Sequence, residues 1–224
     1  AYDRDAVIAA AEARFGALSP GSGPPPEPAR PHAGAAGEVR KLEQTHLVMS
    51  WPGLPTGDEG AYAQRLMVEI FGGGMASRLF QEVREKRGLA YAIDAYSEAY
   101  DDIGRIGVYA GCDPKEAQGV LEAVQAVLEG LAHRGPTEAE LLRAKAMLSA
   151  GLLMGAESPA SRAEARASQV FIRNALIPFE ALASRFEAVT ADEVKARAQA
   201  ALSGPAVRVA LGPKAGVRAV VGAG

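Results

Sequence analysis

Apolar residues recur every three or four positions along much of the chain, which is the pattern of amphipathic helices. The stretch 114–133 shows it most clearly, because Val120, Val124, Leu128 and Leu131 fall on one helical face. The dipeptide Ser158-Pro159 is expected to interrupt the long helical region that begins near Thr137 and resumes to about residue 176. The remaining predicted helices cover residues 3–15, 57–71, 77–87, 178–187 and 191–202.

Several predicted helices carry end signals of their own. Thr137 with Glu140, and Thr190 with Glu193, have the spacing of capping boxes, in which side chain and backbone at the helix start satisfy each other. Ser77 is placed to cap the helix that follows it, and Gly88 is placed to end that helix. These signals predict helix starts near residues 77, 137 and 190.

Apolar and polar residues alternate in four other stretches, which predicts strands. Residues 45–53 form one strand with Thr45, Leu47, Met49 and Trp51 on a single face. Residues 89–100 and 104–113 are expected to pair as a hairpin across Asp101 and Asp102, and residues 206–212 form a last strand. Hairpin strands with long helices grouped apart favour an α+β domain, in which helices cover one face of a largely antiparallel sheet.

Residues 19–37 break both patterns, because they hold five prolines between Pro24 and Pro31 together with several glycines. Such a segment cannot continue a helix or a central strand, so we interpret it as an exposed linker. Residues 1–18 then become the tail of a preceding domain that is mostly missing, and residues 38–224 form a C-terminal domain. The start at Ala rather than Met is consistent with a fragment.

Composition narrows the class of protein. Of the 224 residues, 48% are hydrophobic and 23% are charged, which is ordinary for a soluble globular domain, and no apolar run reaches the roughly 18 residues of a membrane span. The net charge is −3 with scattered basic residues, which argues against nucleic-acid binding and against a polybasic membrane patch. The single cysteine, Cys112, excludes an internal disulfide and is expected to be a small buried side chain at a strand end.

No catalytic metal or nucleophile motif occurs in the sequence. His32, His46 and His133 are too scattered for an H-x-x-E-H or H-E-x-x-H site, and no G-x-S-x-G elbow occurs. For His46 a metal-ligand role is the lesser alternative to a strand histidine with a satisfied hydrogen bond. Gly72–Gly74 are not followed by G-K-[ST], so they are interpreted as a tight turn between helices rather than a phosphate cradle.

One segment, "FGGGMASRLFQEVREKRGLAY" at residues 71–91, has a composition that invites a functional interpretation. Arg84 near a helix end and Tyr91 on the following strand could converge on one spot. The arginine would donate to carbonyls or carboxylates, and the tyrosine hydroxyl would donate to a developing oxyanion. The residues alone leave a second interpretation open, in which Arg84 is a surface side chain and Tyr91 a half-buried strand residue.

The same segment resembles the C-terminal half of the pitrilysin/insulinase-type zinc peptidases, in the subset that contains mitochondrial processing peptidase and its bacterial relatives. The family pattern G-G-G-x-x-S-R-L-F-x-x-x-R-E-x-x-G-L-A-Y is matched almost throughout. The resemblance also takes in the strand "THLVMSWPG", the Pro-rich linker and "AEARFGAL", so it covers essentially the whole chain.

The resemblance implies that zinc binding and substrate clamping belong to different domains. A catalytic zinc would lie in an N-terminal domain or partner subunit carrying H-x-x-E-H and a more distant Glu, and no zinc would be bound by this chain. Arg84 and Tyr91 would close over the backbone of a peptide substrate held there. The full protein is expected to be dimeric and soluble, in a cytoplasmic or periplasmic compartment that the sequence leaves open. Two alternatives are a catalytically inactive scaffold subunit of the same family and a free-standing peptide-binding module.

Overall fold

The computed structural model describes residues 2–19, 21, 23 and 27–222, and its centre is a five-stranded sheet. The strands lie in the order β1-β5-β2-β4-β3. β1 runs parallel to β5, and the other three neighbouring pairs are antiparallel. The predicted α+β class with a largely antiparallel sheet is therefore confirmed. The strands are β1 (Gly34–Val39), β2 (Thr45–Gly53), β3 (Ala92–Ala99), β4 (Gly104–Cys112) and β5 (Val207–Gly212).

Helices account for most of the remaining chain, and none of those described is both long and apolar enough to cross a bilayer. Both predicted capping boxes form, and α4 ends where Ser158-Pro159 was expected to interrupt it. The helices are α1 (Arg4–Phe15), α2 (Ala61–Gly72), a π-helix (Phe80–Lys86), α3 (Ala117–Arg134), α4 (Glu138–Glu157), α5 (Pro159–Arg173), α6 (Phe179–Ala188), α7 (Ala191–Ser203) and α8 (Lys214–Val221).

The core lies between one face of the sheet and helices α2, α3 and α7. β2 alternates along its length: Leu47, Met49 and Trp51 are buried, and the residues between them are half-buried. Trp51 meets Phe71 of α2 edge-on, with ring centroids 6.4 Å apart. The period-2 pattern of the sequence therefore identified the core face of β2 correctly.

α2 lies unusually close to β3, and Gly72 allows it. A Cβ atom at this position would sit 2.5 Å from the Cβ of Ala95, closer than real side chains approach each other. The last turn of α2 consequently packs directly on the strand that follows the segment 71–91. This contact fixes where the segment leaves the helix layer and rejoins the sheet.

The predicted linker ends earlier than expected, because residues 34–37 belong to β1. Every residue of β1 is exposed and its first four are Gly and Ala, so it carries no apolar alternation that could have revealed a strand. Pairing with β5 and packing against α8 hold it in place: a Cβ on Gly37 would meet Val217 at 2.6 Å. The linker residues Pro20, Ser22 and Pro24–Pro26 lie outside the described residues.

The bounds of several helices also differ from the predicted ones. α8 was missed altogether, α2 begins at Ala61 rather than residue 57, and α5 ends at Arg173, where Asn174 caps it in the left-handed conformation. α1 forms where predicted, capped by the Asp3 carboxylate, and all its residues are exposed. Its assignment to a preceding domain stays a prediction.

Candidate functional site

The segment 71–91 is anchored at its start by a mostly buried ion pair between Arg78 and Glu140 of α4. Arg78 Nε and Nη2 each donate to a carboxylate oxygen at 2.7 Å, and Nη2 also donates to the Gly135 carbonyl at 2.9 Å. The two side chains are only 17% and 18% exposed. The Arg78 hydrogen bonds, helped by the Thr137 backbone N–H, lower the pKa of Glu140 to about 2. The site therefore rests on a charged pair that bridges two helices.

The helix after Arg78 widens into π-type geometry over Phe80–Lys86. Ser77 begins it as predicted, since its hydroxyl accepts from the Phe80 N–H at 3.4 Å. Arg84 lies on the outer surface of this helix with 45% of its side chain exposed. Its guanidinium stands 4.7 Å from the centroid of the Phe80 ring and 3.9 Å from the Glu85 carboxylate. An exposed pair at that distance contributes little, so the Arg84 donors remain available to a ligand.

Gly88 ends the helix with φ at +63°, a left-handed conformation that glycine adopts without strain. The Gly88 N–H donates to the Arg84 carbonyl at 3.1 Å, and the Leu89 N–H donates to the Val83 carbonyl at 2.9 Å. Three residues later, the Tyr91 N–H donates to the Gly111 carbonyl of β4 at 2.8 Å. The backbone between Arg84 and Tyr91 is thus fixed at both ends, to the π-helix and to the sheet.

Tyr91 itself is 61% exposed, which argues against the alternative in which it is a half-buried strand residue. Ile93, two residues later, is buried, and β3 begins only at Ala92. Tyr91 therefore immediately precedes β3, with its N–H bonded to β4 and its side chain exposed.

The structure places Arg84 and Tyr91 on one short, anchored stretch and leaves both side chains exposed. Among the described residues, no hydrogen bond or ion pair joins the two side chains to each other. The arrangement leaves a guanidinium fork and a phenol ring exposed seven positions apart in the chain. Chemically, such a pair suits a ligand that offers backbone carbonyls or an oxyanion.

The other candidate residues have structural roles. His46 Nδ1 and the Tyr109 hydroxyl share a hydrogen bond of 2.8 Å, as expected for a satisfied strand histidine. Cys112 is fully buried at the end of β4, and burial is the main cause that raises the pKa of its thiol to about 11. Across the described ranges, no group of three or more His, Cys, Asp or Glu side chains could hold a metal ion.

Sequence reasoning missed the Arg78–Glu140 pair. Glu140 was predicted only as a member of a capping box, and it does accept from the Thr137 N–H at 2.7 Å. Its second partner lies 62 positions earlier in the chain, beyond the reach of any local pattern. Arg78 lies in the S-R-L-F portion of the family pattern, but the pattern alone gave it no partner.

Known proteins resemble this chain in sequence and in fold. The family model described as the Peptidase M16 inactive domain matches residues 1–148. A protein of Streptomyces coelicolor named an uncharacterized zinc protease is 35% identical over 206 residues, covering 88% of this chain and 45% of that protein. A protein of the same description from Rickettsia felis is 31% identical, covering 94% of this chain and 51% of its own length.

A solved structure shows the same fold. The crystal structure of a peptidase M16 inactive domain from Pseudomonas fluorescens superposes with a TM-score of 0.79 at 27% identity, covering 95% of this chain and 52% of that chain. The chain thus spans about half the length of the curated relatives and of the solved structure that it matches. With a family model that matches well over half of its residues, this chain belongs to the Peptidase M16 inactive domain family of zinc protease-like proteins.

Proposed function

We propose that this chain is the substrate-clamping half of a zinc-dependent endopeptidase or processing peptidase whose metal site lies outside it. The observation that carries the proposal is the exposure of Arg84 and Tyr91 on a backbone fixed at both ends. A side chain that serves only the fold gains nothing from an anchored and exposed position. The matched relatives are named uncharacterized zinc proteases, which supports peptide hydrolysis as the reaction class.

Each residue has a distinct chemical part in this proposal. The Arg84 guanidinium donates to carbonyl oxygens of a bound peptide, which orients the backbone before reaction. The Tyr91 hydroxyl donates to the oxygen that becomes negative as water attacks the scissile carbonyl. A zinc held by the N-terminal domain or a partner subunit would supply the activated water when bound. Positioning and oxyanion stabilisation are then the contributions of this chain.

The partner of the clamp is accordingly a zinc-bearing domain of the same polypeptide or of a partner subunit, and the whole protein works as a dimer on peptides. The Pro-rich segment after α1 connects the two halves. In the competing scaffold hypothesis the fold is kept for assembly, and neither Arg84 nor Tyr91 would affect turnover. Experiments on these two side chains separate the hypotheses.

We expect the purified chain alone to bind no stoichiometric zinc and to cleave no peptide. Three scattered histidines, one of them hydrogen-bonded to Tyr109, cannot provide the three ligands of a catalytic zinc site. Elemental analysis after dialysis against zinc, with a peptidase assay on the same sample, measures both properties. One tightly held zinc per chain, or proteolysis that a chelator abolishes, would place the metal site within this chain and contradict the proposal.

Replacing Arg84 by alanine in the full-length protein is expected to lower kcat/KM roughly 10- to 100-fold, the scale of one charge-assisted hydrogen bond. Part of the loss should appear as weaker peptide binding, because the guanidinium contacts the substrate before the chemical step. Arg84→Lys should recover only part of the loss, since the ammonium lacks the planar fork.

Arg218→Ala on α8 provides the matched control, because Arg218 is also exposed and lies far along the chain from the segment 71–91. This variant should keep kcat/KM unchanged. If Arg84→Ala and Arg218→Ala behave alike, Arg84 is an ordinary surface residue and the clamp loses one of its two members.

A further inference from the structure

We propose that a second site, the cleft between the π-helix, α3 and the start of α4, binds a small ligand through an oxyanion group, either carboxylate or phosphate. The cleft has a volume of about 560 Å³, within the range of small-molecule sites. Arg84 does not line it, so the proposal stands apart from the clamp. The charged residues of its wall are Arg78, Glu82, Lys86, Arg87, Arg134 and Glu140.

Both acidic side chains of the cleft are already neutralised. Glu140 is held by Arg78 in the buried ion pair, and Glu82 pairs with Lys86 one turn along the π-helix. Arg87 and Arg134 remain, and the described part of the chain offers neither of them an ion-pair partner. The cleft therefore has two uncompensated positive charges on its wall, and an anionic ligand would balance them.

Arg134 lies beside a glycine one turn earlier in α3. Its Nη2 atom lies 2.7 Å from the position that a Cβ on Gly130 would occupy. The guanidinium therefore packs against bare backbone of α3, at the helix end that lines the cleft. A side chain at position 130 would shift only the flexible end of Arg134, which costs little.

Arg87 also lines the cleft, at the end of the π-helix just before Gly88. π-Type turns occur frequently at functional sites, where the wider helix re-aims side chains. Guanidinium groups donate in a planar fork that matches the oxygens of carboxylates and phosphates. Two of them lining one cleft favour a ligand with that chemistry.

The direct test is calorimetric titration of the chain, at low ionic strength, with inorganic phosphate, pyrophosphate and glutarate. We expect saturable binding of at least one of these anions at one site per chain. Saturation by the phosphates alone identifies a phosphorylated ligand, and saturation by glutarate alone identifies a carboxylate ligand. Absence of saturable binding by all three anions would overturn the proposal.

Variants locate the binding. Arg87→Ala and Arg134→Ala should each weaken it about tenfold or more, because each removes a charge-assisted contact. Gly130→Ala retains every charge and should weaken binding less than either arginine substitution, since the flexible end of Arg134 can shift at little cost.

Arg218→Ala, which removes an exposed charge on α8, should bind as the wild type does. Circular dichroism confirms that each variant is folded. Binding that survives both arginine substitutions, or that falls equally in Arg218→Ala, would show a general charge effect and contradict the site.

Discussion

Replacing Tyr91 by phenylalanine in the full-length protein is expected to lower kcat by about 10²–10³-fold, the scale for one missing oxyanion donor. The substitution removes a single oxygen from a side chain that is 61% exposed, so the core is untouched and the fold should remain. The backbone N–H of residue 91 keeps its bond to the Gly111 carbonyl. The loss should therefore fall on the chemical step.

The Tyr91→Phe substitution should affect kcat and KM differently. A donor that contacts only the developing oxyanion stabilises the transition state and not the bound substrate. Steady-state kinetics on one peptide should consequently show a large fall in kcat with little change in KM. Arg84→Ala should differ by weakening substrate binding too.

Tyr100→Phe is the matched control, because Tyr100 is 54% exposed and its hydroxyl donates to the Glu98 carboxylate at 3.0 Å, away from the clamp. It should leave kcat unchanged. Should Tyr91→Phe keep kcat within about twofold, where a missing donor matters far more, Tyr91 contributes nothing to chemistry. The scaffold hypothesis would then become the better account of this chain.

Arg78→Met is expected to lower the free energy of unfolding at pH 7 by about 3–5 kcal/mol, the scale for breaking a buried ion pair by removing one partner. Methionine fills much of the space of the arginine stem but leaves the Glu140 carboxylate, 18% exposed, without its charge partner. The Gly135 carbonyl loses its donor as well. Urea denaturation followed by circular dichroism measures the change.

The effect should depend on pH in a defined direction. The pKa of Glu140 falls from 4.5 to about 2 in the folded chain, chiefly through the Arg78 hydrogen bonds. A lowered folded-state pKa means that the ion pair stabilises fully above pH 4.5, and that this stabilisation is lost as pH falls through about 2. The difference between wild type and Arg78→Met should therefore be largest near neutrality and shrink towards pH 2.

Arg40→Met tests whether burial is the cause. Arg40 pairs with Glu38, but those side chains are 63% and 61% exposed, so the substitution should cost less than about 1 kcal/mol. A cost below about 1 kcal/mol for Arg78→Met, or a cost that does not change with pH, would show that water solvates Glu140 well enough to replace the arginine.

The candidate site was predictable in part. The residue types and their order in "VREKRGLAY" made Arg84 and Tyr91 candidate hydrogen-bond donors. The resemblance to a peptidase family then implied that they contact a peptide substrate. The exposure of Tyr91 could not be read from the pattern, because its sequence position continues the alternation of β3 although the residue lies outside the paired strand. The cleft lined by Arg87 and Arg134 could not be predicted either, since these two residues are 47 positions apart in the chain.

The sequence by itself determined the features that depend on neighbours a few positions away. The buried face of β2, the capping boxes at Thr137 and Thr190, and the turn at Gly88 all follow from side-chain period, hydrogen-bonding reach or backbone freedom within one or two turns. Only the tertiary structure decided β1 and the Arg78–Glu140 pair. β1 has no apolar pattern of its own and exists through pairing with β5, about 170 residues later, while the ion pair joins residues 62 positions apart. Local interactions determine most helices and strands. β1 has no hydrophobic face and Arg78 has no charge partner nearby in the sequence, so both are positioned only when distant parts of the chain pack together.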